Sequence, residues 1–162
     1  MTKFIALIGL LATLTACGFH PVHGEFSNDK RTESAPVAIA IIPDREGQIL
    51  RNELIDRLHQ NGEPAHTEYS LSVDKIQESD KELAITKSSE ATRAQLRLKT
   101  KMILTDKSGK DVLVRDLLAI TSYNVLQSEF ATRVAENAAR ENALSDLARQ
   151  IELQLNLYLN RE

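Results

Sequence analysis

The sequence has no second cysteine: Cys17 is alone among 162 residues. No intramolecular disulfide can form, so the fold must hold by its apolar core. A basic excess is missing too. With 20 Lys and Arg against 23 Asp and Glu the formal net charge is −3, and no global positive field recommends nucleic acid as a partner. Beyond Phe4–Leu14 there is no long apolar run, so the rest of the chain is not expected to contain a transmembrane helix. Internal repeats, a glycine-rich phosphate loop and a GxSxG-type serine elbow are all lacking. His20 and His23 have metal-like spacing but no carboxylate cluster beside them, and His59 and His66 only flank a turn. A metal site would need three or four converging ligands. The carboxylates are scattered, without a general acid–base pair. These absences predict a protein that is not an enzyme and needs no cofactor or metal.

What is present begins at the amino terminus. Lys3 is followed by the eleven-residue apolar stretch Phe4–Leu14, interrupted only by Thr13, within the roughly 7–15 of a signal h-region. Leu14-Thr15-Ala16-Cys17 then places a leucine three positions before the cysteine and a small residue directly before it. That is a lipobox. It predicts cleavage before Cys17, a diacylglycerol on the Cys17 thiol and an acyl chain on its new amino group. One acyl chain, at about 0.8 kcal/mol per buried methylene, anchors only marginally, whereas three should tether the protein almost permanently. Gly18 stands where aspartate would signal inner-membrane retention, so the expected address is the periplasmic side of the outer membrane. The organisation read from this is a signal peptide over 1–16, a lipidated flexible tether over 17–36, and one periplasmic domain over 37–162, long enough to bury a core.

Within that domain, Val37–Ile42 is a continuous apolar run ended by Pro43, the pattern of a strand covered on both faces. Leu50, Leu54 and Leu58 recur at helical spacing, predicting a helix over 44–61 closed by Asn61-Gly62. Tyr69, Leu71 and Val73 alternate with polar residues, predicting a strand over 67–77. The next strand has the clearest alternation, with Ala94, Leu96, Leu98, Met102 and Leu104 on one side. A turn at 106–110, with Gly109 for a positive φ, leads to a return strand over 112–125. Ser128–Leu159 reads as one long helix, with Ser128 as cap. Its apolar stripe is read through Phe130, Val134 and Ala138, then Leu144, Leu147, Ile151, Leu155 and Tyr158. The expected fold is α+β: a two-layer sandwich of a mixed four-stranded sheet, in the order strand-helix-strand-strand-strand-helix, with two helices on one face.

Opposite the apolar residues of the central strand stand Arg93, Arg97, Lys99 and Lys101. At two-residue spacing these cations share a face, about 6.5–7 Å apart for neighbours. A solvated sheet face carries charges by default, yet such a row in a net-acidic protein could also hold a polyanion. At the outer membrane that polyanion would be lipopolysaccharide, whose phosphates arginine can chelate with two hydrogen bonds.

Several stretches, taken in order, resemble the lipopolysaccharide-assembly lipoprotein family LptE in its alphaproteobacterial form. They are Cys17-Gly18-Phe19-His20-Pro21 with Gly24, Asp44-Arg45 with Gly47-Gln48 and Leu50-Arg51-Asn52, and Thr92-Arg93 before the alternating leucines. Ser122-Tyr123-Asn124-Val125, Phe130-Ala131, Ala135-Glu136, Ala139 and Leu147-Ala148 with Ile151 complete the set. The resemblance implies two helices on a four-stranded sheet, seated as a plug in the polar lumen of the LptD β-barrel. It also implies that lipopolysaccharide is bound through basic residues before the central strand and at the start of the last helix. Lys87 and Arg133 fall at those places here, with Arg93 beside the first. Arg97, Lys99 and Lys101 then form a secondary basic face that solvates the sheet or meets the barrel wall. The alternative role is a structural, pilotin-like accessory of another outer-membrane barrel, without lipopolysaccharide affinity.

Overall fold

The protein is represented by a computed structural model that describes residues 36–60, 62–85 and 91–160. Cys17, the signal segment and most of the tether lie outside these residues, as does Lys87. The elements are β1 (Val37–Ile39), α1 (Asp44–Leu58), β2 (Tyr69–Val73), β3 (Gln77–Ile85), β4 (Ala91–Asp106), β5 (Asp111–Asn124) and α2 (Glu129–Leu159).

The fold is α+β with a mixed sheet: β1 runs parallel to β2, and every other pairing is antiparallel. β4 is the spine. Along one edge it pairs with β5 over almost its whole length, and along the other it pairs with β2 at Met102–Asp106 and with β3 at Ala91–Lys99. The sheet therefore has five strands in four rows, because β2 and β3 share a row. The single strand expected over 67–77 is broken at Asp74–Ile76 and resumes as β3 to Ile85. At the break the Thr100 hydroxyl donates to the Asp74 carbonyl at 2.7 Å, and the Asp74 N–H donates to the Lys101 carbonyl at 2.9 Å. Ile76 turns into the core there. This interruption behaves as a bulge that re-aims the row.

Alternation sends Leu71 and Val73, Leu96, Leu98, Met102 and Leu104, and Leu113, Leu117 and Ala119 to one face of the sheet. Leu50, Leu54 and Leu58 from α1 and Leu144, Leu147, Ile151 and Leu155 from α2 cover that face. Each such side chain contributes about 1.5–3 kcal/mol through removal from water. Among the described residues no helix lies on the opposite face.

α1 stops at Leu58, three residues short of the expected end, because His59 is used elsewhere. Its Nε2 lies 3.0 Å from the Val37 carbonyl, while Arg51 Nη2 donates to the Ile39 carbonyl at 3.3 Å. Since Pro36 and Ala40 bond towards β2, these carbonyls face the free edge of β1. Two α1-side groups thus satisfy and cover an edge strand.

Ser128 caps α2 as expected, its Oγ accepting from the Ala131 N–H at 3.4 Å. The stripe of α2 departs from expectation in its first turns. Phe130 is 78% exposed and Val134 is 52% exposed, and Ala138 is exposed as well. The inward face runs back from Ala139 through Ala135 and Glu136 to Ala131 and Thr132, all half-buried. Phe130, Val134 and Ala138 each sit one residue off that face, a rotation of about 100° at 3.6 residues per turn.

Candidate functional site

The alternation that buries the leucines of β4 puts its polar residues on the uncovered face. Arg93, Lys99 and Lys101 are exposed, and Arg97 is half-buried with its Nε donating to Gln95 Oε1 at 2.8 Å. All four expected cations therefore share one surface. β3 adds Lys81, opposite Gln95, together with Ser79 and Gln77. On the other flank β5 places Ile120 opposite Arg97, Leu118 opposite Lys99, Asp116 opposite Lys101 and Val114 opposite Ile103. Over these rungs Asp116 is the carboxylate residue in register, and Asp74 at the β2–β3 break is a second one beside Lys99 and Lys101; five cations share the face in a chain whose net charge is −3.

None of Lys81, Arg93, Arg97, Lys99 and Lys101 makes an ion pair among the described residues. Elsewhere pairing is common: Arg57 with Glu53 and Glu152, Lys75 with Asp44, and Arg140 with Glu78 and Glu136. Among the described residues the face thus carries an excess of positive charge and is uncovered. Its aliphatic residues are equally bare, with Val114, Leu118 and Ile120 exposed at 44%, 48% and 44%. Where the β2–β3 row breaks, a depression of about 220 Å³ opens beside Lys75, Gln77, Lys99 and Lys101 and beside the two acidic residues Asp74 and Asp116.

Arg93 also belongs to one end of the fold. It pairs in register with Asn124, the last residue of β5, and a short connection leads from there to Ser128 and the first turn of α2. Arg133 stands in that helix start, exposed and bonded to Glu129 at 2.6 Å. Topology thus brings Arg93 and Arg133 to the same end of the sheet, in different layers. The third expected residue, Lys87, is outside the described residues.

A polar cluster not anticipated from the sequence lies under that end, on the helix side. Arg140 of α2 is bonded to Glu78 of β3 and to Glu136, and Asp80 and Tyr123 are beside them. Desolvation, reinforced by the charges of Glu78 and Glu136, raises the Asp80 carboxyl above the ordinary range. Burial, followed by the Asp80 charge, raises the Tyr123 phenol. The guanidinium of Arg140 is held still more firmly protonated by its carboxylate bonds. The signal in the sequence was the acidic residue at every second position, Glu78, Asp80 and Glu82, a strand period without an apolar member. Among the described residues no group of His, Cys, Asp and Glu is arranged to hold a metal ion, and no helix is long and apolar enough to cross a membrane.

The sequence profile of the family LptE, lipopolysaccharide-assembly, matches residues 34–155. That span includes every strand and all but the last residues of α2. The chain belongs to the LptE family. Its fold is similar to that of a lipoprotein from Caulobacter crescentus, with 25% identity and a TM-score of 0.59 over 78% of this chain and 92% of that one. A minor lipoprotein from Acinetobacter baumannii shares 22% identity and a TM-score of 0.60, covering 75% of this chain and 90% of its own. The rare lipoprotein B of Shewanella oneidensis shares the LptE-like fold at 13% identity and a TM-score of 0.56, covering 76% and 98%. Comparison with curated protein sequences gives no match.

Proposed function

We propose that this LptE-family chain is a lipid-anchored outer-membrane lipoprotein that plugs the LptD β-barrel and assists assembly of lipopolysaccharide at the cell surface. Lipid on Cys17 would provide the membrane attachment that no described helix can. Lys87, Arg93 and Arg133 are the residues proposed to hold lipopolysaccharide phosphates. The observation that carries the reading is Arg93: a cation without an ion pair among the described residues, in register with the β5 terminus from which the chain passes into α2. The net negative charge of the chain is no obstacle. Charges beyond about 8–10 Å are screened at physiological salt, so phosphate contacts are decided locally.

The test is affinity purification of the full-length lipidated chain from solubilised outer membranes, with barrel and lipopolysaccharide both assayed. One large barrel partner identified as LptD, with bound lipopolysaccharide, is expected. LptD without lipopolysaccharide above the level of a Cys17→Ser control would reduce the role to a structural one. A different barrel would favour the pilotin-like accessory.

A further inference from the structure

We infer that the open β4–β5 face is itself a ligand surface, built to take the phosphorylated, acylated lipid A part of lipopolysaccharide. Arg97 and Lys99 would meet the phosphates, and Ile103, Val114, Leu118 and Ile120 would lie under the acyl chains. The inference rests on the lipopolysaccharide-binding reading above but extends it from one end of the fold to the middle of the sheet, where the secondary basic face is expected to solvate the sheet or meet the barrel wall.

The argument is the pairing of chemistries rung by rung. Ile120 stands opposite Arg97, and Leu118 opposite Lys99. Adjacent strands are about 4.8 Å apart and successive rungs on one face about 6.5–7 Å. Arg97 and Lys99 are therefore flanked directly by Ile120 and Leu118, and past the Lys101–Asp116 rung Ile103 and Val114 stand opposite each other. Exposed aliphatic residues are ordinary when scattered, but Leu118 and Ile120 stand on consecutive rungs of one face, each directly opposite a cation. A face meant for a simple anion would need the cations alone. Both together suit one ligand that carries phosphate and hydrocarbon in adjacent parts.

Three further details set which cations are available to a phosphate. The cations of this face lack ion pairs among the described residues, so a phosphate would not have to displace a carboxylate from Arg97 or Lys99. The depression of about 220 Å³ at the β2–β3 break is lined by Asp74 and Asp116 as well as by Lys99 and Lys101, so it is a border of mixed charge beside the phosphate positions and not their seat. Lys75 at its rim is already engaged by Asp44 at 2.8 Å, and Asp116 stands opposite Lys101. Arg97 and Lys99 are consequently the strong positions and Lys101 the weaker one.

The test places a photoreactive residue at Leu118 or at Ile120 of the full-length chain in living cells. Crosslinked adducts are then separated and probed for lipopolysaccharide, phospholipid and LptD. Position Leu153 on α2, also exposed but without neighbouring cations of this row, is the control. Lipopolysaccharide adducts at Leu118 and Ile120 and none at Leu153 are expected. Combining Arg97→Gln with Lys99→Gln should cut those adducts at least tenfold. Phospholipid or LptD adducts in place of lipopolysaccharide would overturn the assignment. So would lipopolysaccharide adducts at Phe130, beside Arg133, with none at Leu118 and Ile120, although the end-of-fold site would then stand. No lipopolysaccharide adduct at any of these positions would overturn both.

Discussion

The guanidinium of Arg140 grips both carboxylate oxygens of Glu78, with Nε 2.8 Å from Oε2 and Nη2 2.7 Å from Oε1. This bidentate bond ties β3 to α2 across a separation of 62 residues. The same Nη2 reaches Glu136 at 2.6 Å, and Nη1 reaches Asn137 Oδ1 at 2.8 Å. One cation therefore bridges two carboxylates, Glu78 and Glu136, and leaves the cluster net negative beside Asp80. Arg140→Ala should destabilise the fold by roughly 1.5–3 kcal/mol, the scale of hydrogen bonds to charged groups. Adding Glu78→Gln to that variant should recover part of the loss, because it removes a carboxylate left without its partner. Urea midpoints of the two variants check this, and equal midpoints for wild type and Arg140→Ala would show that the bridge is ornamental.

Asp80 gives this cluster a pH dependence. Its carboxyl is raised in the folded protein by desolvation and by the Glu78 and Glu136 charges. Between the ordinary value of 3.8 and the raised one, the folded state keeps a proton that the unfolded state has lost. Stability contributed by this group is present at low pH and falls as pH rises through that window. Asp80→Asn retains a side-chain acceptor for Tyr123 and removes the ionisation. It should be more stable than wild type at neutral pH and lose that advantage towards pH 4. Denaturation midpoints measured across this range decide it: an Asp80→Asn advantage independent of pH would exclude Asp80 as the source.

Gly47 makes a close approach. A Cβ there would lie 2.7 Å from Ile42 Cγ2 and 2.8 Å from the Ile42 carbonyl carbon and oxygen. Alanine gains about 1 kcal/mol over glycine in a helix interior, but here the carbonyl is backbone and cannot swing aside. Gly47→Ala should therefore be destabilising, by about 1–3 kcal/mol net, as overpacked sites are. A variant more stable than wild type would mean that α1 can shift off Ile42.

The corrected face of α2 also makes a prediction. Leu147 and Ile151 are fully buried, so truncation of either to alanine should cost about 2–5 kcal/mol. Phe130→Ser and Val134→Ser, at exposed positions, should each stay within about 0.5 kcal/mol. If the Phe130 and Val134 changes prove as costly as the Leu147 change, the first turns of α2 pack inward after all.

Which parts of this molecule could be read beforehand follows from where the periodicity was strong. β4 alternates cleanly from Ala94 to Leu104, and both its buried face and its cation row were legible residue by residue. β3 was not, because Gln77–Glu82 is polar on both faces and offers no apolar alternation. The α2 stripe was misphased by the step from Ala138 to Leu144. Six residues advance a helix by about 240°, so the two halves of that stripe cannot share a face. The Arg140 cluster was hidden for a different reason: its members come from β3, β5 and α2, and only the fold assembles them. At the candidate site, the shared surface of Arg93, Arg97, Lys99 and Lys101 was visible, whereas the exposed aliphatic row beside it depends on the β4–β5 register.

The last prediction concerns lipopolysaccharide at the end of the fold. Arg133 is exposed and, among the described residues, held only by Glu129 one helical turn away. Exposed pairs of this kind contribute about 0.3–0.5 kcal/mol, so a phosphate can displace the Glu129 contact at little cost. Arg93 has no carboxylate to surrender among the described residues. Lys87→Glu, Arg93→Glu and Arg133→Glu combined should therefore weaken capture of lipopolysaccharide by the full-length protein at least tenfold at low salt. Each lost charged contact is worth roughly 1.5–3 kcal/mol where water is excluded and less where it is not. Raising the salt should narrow the gap between wild type and variant, since exposed charges are screened over about 8–10 Å. Circular dichroism should not change, because neither Arg93 nor Arg133 packs in the core. Undiminished capture by the folded triple variant would remove the end of the fold as the phosphate site. Loss of capture at every salt concentration with an altered spectrum would point instead to a damaged fold.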